Sequence, residues 1–397
     1  MTSTPRLLDR LSPEARLLVL AAGSSATDRE LAALARGGEV NWGRLLEMAD
    51  RERATAIVWR RVKADVPPSM PPEVRSSFER MAMIAAFSAG YLGERIGATL
   101  AHLNARGIPV LLLKGGALAV TVYRSFADRP MGDVDLVVPE REGDAAFAAL
   151  QEVGWRWDAG AYPLERYERH HHYPPLVDER GLDTRLELHR ELMVEGNPFG
   201  LGAAELFREG ETVRIGAGTA SVPPRELLLL HTCIHYAWSH MLLFGAWRAF
   251  RDMIALTDAG IDWARFEGLA GRYRAESVSY WTFRLAGQLV GAEVPAEVME
   301  RLGRSVTTSF RGMCERHAAR EMFPSPERCP SQWLRRTLWT AAIQPARSGH
   351  GSARPWLLDD MAPENVDPSR REGGVLRAFR HLPRAGDWLR YVVGIAR

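Results

Sequence analysis

The stretch LLLKGGALAVTVYRSFADRPMGDVDLVVP, residues 111–139, decides the fold. Its leading leucines, together with Val110, make a short apolar run bounded by Pro109 and Gly115-Gly116. Such a run predicts a buried strand, being too short for a helix and without a polar face. Ala117 to Tyr123 predicts a short helix, and Asp133 to Val138 a second strand that Pro139 stops. Alternate side chains of a strand share a face, so Asp133 and Asp135 point one way while Val134 and Leu136 point into a core. Two carboxylates a strand-step apart repel each other unless something positive lies between them. A divalent cation meets that need, and Mg²⁺ favours oxygen ligands of this kind. Asp-x-Asp alone is a weak pattern that an exposed strand edge explains equally well. The preceding Lys114-Gly115-Gly116 raises its specificity. Glycines at a helix start let backbone N–H groups approach a phosphate, and the helix dipole favours the anion. Lys114 adds positive charge at the same place. A tight strand-to-helix turn would explain the glycines by themselves; strand, KGG, helix, loop, strand and DxD together read as a phosphate site beside a metal site.

Outward from this segment, the sequence divides into four regions. Residues 1–106 read as helical, with Ser12-Pro13 as a helix start and apolar spacing over 27–35, 42–63 and 72–105. Residues 107–222 read as a small α/β core, including a helix over 143–153 and a third strand over 182–189. Residues 223–343 return to helical periodicity, with helices expected over 226–243, 247–259, 263–273 and 277–290. Residues 344–397 read as a long loop followed by a basic amphipathic helix docked on its own protein. The fold class is therefore α+β, a small mixed-sheet core flanked by helical segments. Asn41-Trp42-Gly43-Arg44 recurs as Asp262-Trp263-Ala264-Arg265, and Ala49, Arg51, Arg53 and Ala54 recur in register as Ala270, Arg272, Arg274 and Ala275. Two similar helical arms, each opening on an Asn or Asp cap, explain this; chance similarity of Arg/Ala-rich helices is the alternative.

On the third strand, alternation puts Arg185, Glu187 and His189 on one face. Glu187 is the candidate third metal ligand, or the base that takes an acceptor's proton, with Asp183 and Glu191 as competitors. His189 is a candidate for positioning substrate or phosphate. Arg129 is either a fork-shaped donor to a phosphate or an ion-pair partner of Asp128 or Asp133. His170-His171-His172 precedes Tyr173-Pro174-Pro175 and reads as a loop whose histidines cannot all face one ion from regular structure. His231 and His235 are four apart on an apolar helix and read as buried, satisfied histidines, and the aromatic run Trp238, Phe244, Trp247 and Phe250 reads as core.

The 111–139 stretch closely resembles the signature of the uncharacterised nucleotidyltransferase family within the DNA polymerase β-like superfamily. The family's run of Lys-Gly, helix, Tyr, Arg-bearing loop and Asp-x-Asp is matched by Lys114, Gly115, Tyr123, Arg129, Asp133 and Asp135. Gly116 stands where the superfamily more often has Ser. Leu186-Glu187-Leu188-His189 is similar to the family's later acidic strand, and the likeness spans roughly residues 40–290. The resemblance implies an enzyme that moves an NMP group from an NTP, ATP among the candidates, to a hydroxyl or phosphate, releasing pyrophosphate. Mg²⁺, with Mn²⁺ as substitute, would sit in a two-ion site on Asp133, Asp135 and Glu187; Lys114, Gly115, Gly116, Arg129 and His189 would hold the nucleotide. A small-molecule or peptide acceptor, as in natural-product biosynthesis, fits such proteins. The rival reading is a catalytically inactive nucleotide-binding regulator of antitoxin-like type.

Composition narrows the setting. With 51 Lys and Arg against 49 Asp and Glu, the chain lacks the excess of a nucleic-acid binder. Three widely spaced cysteines form no CxxC pair and predict reduced cytoplasmic thiols. No uncharged apolar stretch approaches the roughly 20 residues that span a bilayer.

Overall fold

A computed structural model of the chain describes residues 6–323, except 124, 159–166, 168–169, 181–183, 194–196, 241, 243–244 and 307–310, together with residue 343. The expectations for 344–397, and those for Asp183, Phe244 and Cys329, lie outside the described residues. The N-terminal part is helical: α1 (Pro13–Ala22), α2 (Asp28–Arg36), α3 (Trp42–Arg51), α4 (Thr55–Val62) and the long α5 (Pro72–Ala105). Then come β1 (Leu111–Leu113), α6 (Lys114–Thr121), β2 (Asp133–Val137), α7 (Gly143–Glu152), β3 (Trp155–Trp157), β4 (Leu176–Asp178), β5 (Arg185–His189), α8 (Ala203–Glu209), β6 (Glu211–Ile215) and β7 (Gly218–Val222). The chain continues through α9 (Arg225–Ile234), a π turn over His235–Ser239, α10 (Ala246–Asp258), α11 (Trp263–Arg272), α12 (Glu276–Val290), α13 (Ala296–Gly303) and α14 (Arg311–Glu321).

The strands form one mixed sheet in the order β3-β4-β5-β2-β1-β7-β6, the α+β architecture read from the sequence. The first two strands of the 111–139 stretch are its centre. β1 runs antiparallel to β2 and parallel to β7, and β2 runs parallel to β5. The three leucines of β1 have no exposed surface; burying a leucine is worth about 1.5–3 kcal/mol. Val134, Leu136, Leu186 and Leu188 are equally buried and alternate with the polar residues of β2 and β5. On the flank, α5 packs on β6 and β7. The approach is close: a Cβ on Gly218 would lie 2.5 Å from Leu100 Cβ, and one on Gly97 2.8 Å from the Ile215 carbonyl oxygen. Among the described residues no helix is long and apolar enough to cross a membrane.

Several boundaries differ from expectation. The helix expected over 42–63 is two helices, broken where Arg53 takes a positive φ of 55°. The helix expected from Ala117 starts at Lys114, so Gly115 and Gly116 form its first turn. Four strands, β3, β4, β6 and β7, were not anticipated.

The recurrence of the two arms has a structural basis. Asn41 and Asp262 cap α3 and α11 through the backbone N–H groups of Arg44 and Arg265, each at 3.0 Å. The backbone N–H of each cap in turn donates to a glutamate near the start of an earlier helix, Glu14 at 3.0 Å and Glu226 at 3.1 Å. Arg53 and Arg274 both turn left-handed, with φ 55° and 56°. The next N–H in each arm, of Ala54 or Ala275, returns to the carbonyl of Ala49 or Ala270. The same helix, exit turn and glutamate clasp are built twice.

Candidate active site

The parallel register of β2 and β5 pairs Asp133 with Arg185, Asp135 with Glu187 and Val137 with His189. Alternation sends all of these to one face of the sheet, so two carboxylates stand side by side with a third one strand-step away. Asp135 is buried at 2% exposure; Asp133, at the mouth, is open to solvent on one side and hemmed in by protein on the others. Between β1 and α6, Lys114 adopts φ 48°, a left-handed conformation that costs a non-glycine residue about 1–2 kcal/mol. This turn brings its ammonium to 2.6 Å from Asp135 Oδ1. His189, 1% exposed, places Nε2 at 2.9 Å from the same oxygen and 3.5 Å from Glu187 Oε2.

The electrostatics follow from this crowding. Burial pushes the Asp133 carboxyl up, and the neighbouring Asp135 charge pushes it further. Burial would also raise Asp135, but Lys114 and His189 overcome it and hold that carboxyl below its usual range. Glu187 is likewise lowered, burial being outweighed by its hydrogen bond with His189. Burial disfavours the charged forms of Lys114 and His189, yet their acidic neighbours raise both. The donor atoms of Asp135, Glu187 and His189 lie within 4.8 Å of one another. Hard carboxylate oxygens at this spacing, with unbalanced negative charge at Asp133, fit a divalent cation.

Lys114, Asp133, Asp135 and Glu187 line a cleft of about 660 Å³. Its other walls come from the flanking helices: Arg51 at the end of α3 and Arg53 in the turn beyond it, His231 and Thr232 of α9, His235 and Tyr236 of the π turn with His240 just after it, and Arg248 and Asp252 from α10. A smaller concavity of about 360 Å³, lined by Arg10, Arg44, Arg316 and Arg320, holds none of the acidic residues. The cleft is therefore the candidate site.

Sequence-expected residues take up different positions in it. Lys114, Gly115, Asp133, Asp135, Glu187 and Arg129 all line the cleft. Gly116 lies behind it, where a Cβ would come within 3.2 Å of Leu112 Cδ2. His189 is underneath, bonded to the carboxylates. Arg129 makes a buried bidentate pair with Asp252, Nε to Oδ1 at 2.6 Å and Nη2 to Oδ2 at 2.8 Å, in place of the Asp128 or Asp133 pairing considered from sequence. Asp252 Oδ1 also accepts from Tyr123 Oη at 2.9 Å. A single α10 carboxylate thus pins the loop between α6 and β2.

The histidines of α9 are also differently placed. His231 is buried, as expected, but it and His235 face the cleft. His235 stacks on His231 at 5.9 Å and packs on His240 at 4.2 Å. Burial drops His231 to about 3 and lowers His235 strongly, so both are neutral at pH 7. Trp238, Trp247 and Phe250 are core, as read. Sequence reasoning assigned no site role to Arg51, Arg53, Arg248, Asp252 or His240. The only signal was the arm repeat, which marked Arg51 and Arg53 without saying that they meet the acidic strands.

A model of an uncharacterised nucleotidyltransferase family matches residues 38–291. The chain belongs to that family. The match runs from the approach to α3 through α12, so it takes in α3, α11 and the whole sheet. No curated protein and no solved structure matches the chain.

Proposed function

We propose that the chain is a metal-dependent nucleotidyltransferase of the DNA polymerase β-like type, transferring an NMP group from an NTP to a hydroxyl or phosphate of a small-molecule or peptide acceptor in the cytoplasm. One observation carries the reading. Asp135 and Glu187 stand in register on adjacent parallel strands, with Asp133 on the same face, and they open into a cleft that Arg51, Arg53 and Arg248 also line. Carboxylates and arginines lining one cleft match a metal–triphosphate complex. Asp133, Asp135 and Glu187 would hold Mg²⁺, or Mn²⁺, which supplies neutralisation of charge on the transferring phosphoryl group.

The chain's own groups do the remaining work. Lys114 and the arginines would grip the β- and γ-phosphates, and the first-turn N–H groups of α6 at Gly115 and Gly116 add donors. An acceptor oxygen forms its bond to the α-phosphorus while the bond to the pyrophosphate oxygen breaks. Of the three carboxylates Asp133 is the one raised, which suits it to take the proton of a hydroxyl acceptor. His189 holds Asp135 and Glu187 in place. Arg129, paired with Asp252, fixes the loop that carries Gly132 beneath Arg53.

Thermal unfolding with each of the four NTPs, with and without Mg²⁺, tests this. The expected result is Mg²⁺-dependent stabilisation together with pyrophosphate release in the presence of acceptor. Mg²⁺-dependent binding without turnover in any acceptor mixture would favour the inactive regulator. Stabilisation by no NTP overturns both.

A further inference from the structure

Beside the acidic face, and not lining the cleft, stand three consecutive histidines. Regular structure would scatter their side chains, but the backbone bends at His170 and His171 before His172 makes an antiparallel bridge to His189. The three rings consequently converge, with centroid separations of 4.3 Å for His170–His171, 4.1 Å for His170–His172 and 4.8 Å for His171–His172. One ring nitrogen from each lies within 4.8 Å of the others. The segment is irregular, as Tyr173-Pro174-Pro175 implies, and that departure from regular structure is what lets three successive histidines converge.

The hydrogen bonding leaves a ring nitrogen available on each histidine. His172 Nδ1 lies 2.6 Å from the Tyr173 carbonyl oxygen, to which it donates, so its Nε2 is the bare nitrogen. A ligating histidine is usually fixed in this way, its other N–H given to a backbone carbonyl. His170 is held by a hydrogen bond to the His172 backbone. Among the described residues, Nδ1 of His170 and Nδ1 of His171 are both buried without a hydrogen-bond partner. A buried polar atom left unpaired costs about 1–3 kcal/mol, and two in adjacent rings need a common explanation.

We propose that His170, His171 and His172 form a second, imidazole-only site for a divalent first-row transition ion of the Zn²⁺ class. Nitrogens on one tetrahedral Zn²⁺, with bonds near 2.0–2.1 Å, lie about 3.4 Å apart, so each nitrogen moves by less than about 1 Å to bind. Three protein ligands leave a fourth position for water or an anion. The site differs in kind from its neighbour. Imidazole selects Zn²⁺, Co²⁺ or Ni²⁺, whereas the carboxylates of Asp135 and Glu187 suit Mg²⁺. Bound metal would tie the 170–173 segment to β5 beside His189, whose imidazole supports both carboxylates. The proposal does not depend on nucleotidyl transfer.

The test is Co²⁺ titration of untagged, chelator-stripped protein, read by visible d–d absorption, followed by displacement with Zn²⁺. The expected result is one equivalent of tightly bound ion whose spectrum millimolar Mg²⁺ does not change. His171→Ala should weaken binding at least about 100-fold, since even an outer partner of a metal ligand is worth about 10–100-fold. Asp135→Asn should leave it unchanged. Circular dichroism of each variant checks folding, and X-ray absorption of the Zn²⁺-loaded wild type reads the ligands without any substitution. Failure of the wild type to bind, a ligand shell without imidazole, or binding lost in Asp135→Asn and kept in His171→Ala would each overturn the proposal.

Discussion

Replacing Asp252 with Asn should unfold the protein at a markedly lower temperature, although the residue lies 123 positions from its partner in sequence. Both side chains are out of solvent, Arg129 at 9% and Asp252 at 5% exposure. Their two hydrogen bonds, at 2.6 and 2.8 Å, are short and charge-assisted. Breaking a buried pair by removing one charge costs about 3–5 kcal/mol, because the surviving ion stays buried and uncompensated. The Tyr123 hydroxyl also loses a charged acceptor. At an unfolding entropy of about 2 cal/mol/K per residue, 397 residues amount to about 0.8 kcal/mol/K. A loss of 3–5 kcal/mol then lowers Tm by about 4–6 °C. Differential scanning calorimetry of Asp252→Asn measures it, with Arg129→Met/Asp252→Leu as the second arm. The double variant should recover stability relative to Asp252→Asn, since a paired apolar replacement leaves no orphan charge. A shift below about 1 °C in Asp252→Asn, or a double variant worse than the single, would refute the claim that this pair anchors the loop.

Further outcomes follow from the same contacts. Gly132→Ala places a Cβ inside the Arg53 guanidinium; because that group is the far end of a flexible side chain, Tm should barely move while NTP affinity in a binding titration drops roughly tenfold, as for a lost charge-assisted contact. Gly218→Ala meets Leu100 Cβ at 2.5 Å and the Ala101 backbone nitrogen at 2.6 Å, so urea unfolding should show a loss of about 1–3 kcal/mol from overpacking. His189 is raised in the fold above its ordinary 6.5. In chelator its stabilising contribution is therefore complete below pH 6.5 and disappears as pH rises through the folded value. Wild-type stability should fall across that alkaline-side window relative to His189→Gln, and parallel pH profiles for the two proteins would contradict the assignment.

The central axis of the fold was legible because its patterns are strong. An all-leucine run, DVDLV and RLELH each declare both a strand and a buried face, and they fix β1, β2 and β5 with the acidic pair and Glu187 on one side. β3 and β4 have three residues each, WRW and LVD, too few for a period to declare itself; their place is set by the pairing of β4 to β5 and of β3 to β4, and by α5, whose Arg95 forms a buried pair with Asp178 at 3.2 Å. β6 and β7 do alternate, but they are an edge hairpin whose order beside β1 depends on the close passage of Gly97 and Gly218. His231 and His235 were read as core because the helix around them is apolar. A π turn begins at His235, a local irregularity common at functional sites that spacing at 3.6 residues cannot foresee. Asp252 and Arg53 escaped for a different reason: their meaning lies in partners distant along the chain.

The central claim is that Asp133, Asp135 and Glu187 make a metal-dependent nucleotide site. Calorimetric titration of NTP into wild type and into Asp133→Asn/Asp135→Asn, each with Mg²⁺ and with chelator, measures it directly. The account predicts saturable binding by the wild type only with Mg²⁺, and loss of that binding in the double variant while its circular dichroism stays native. Equal binding by both proteins, or wild-type binding indifferent to Mg²⁺, would contradict it.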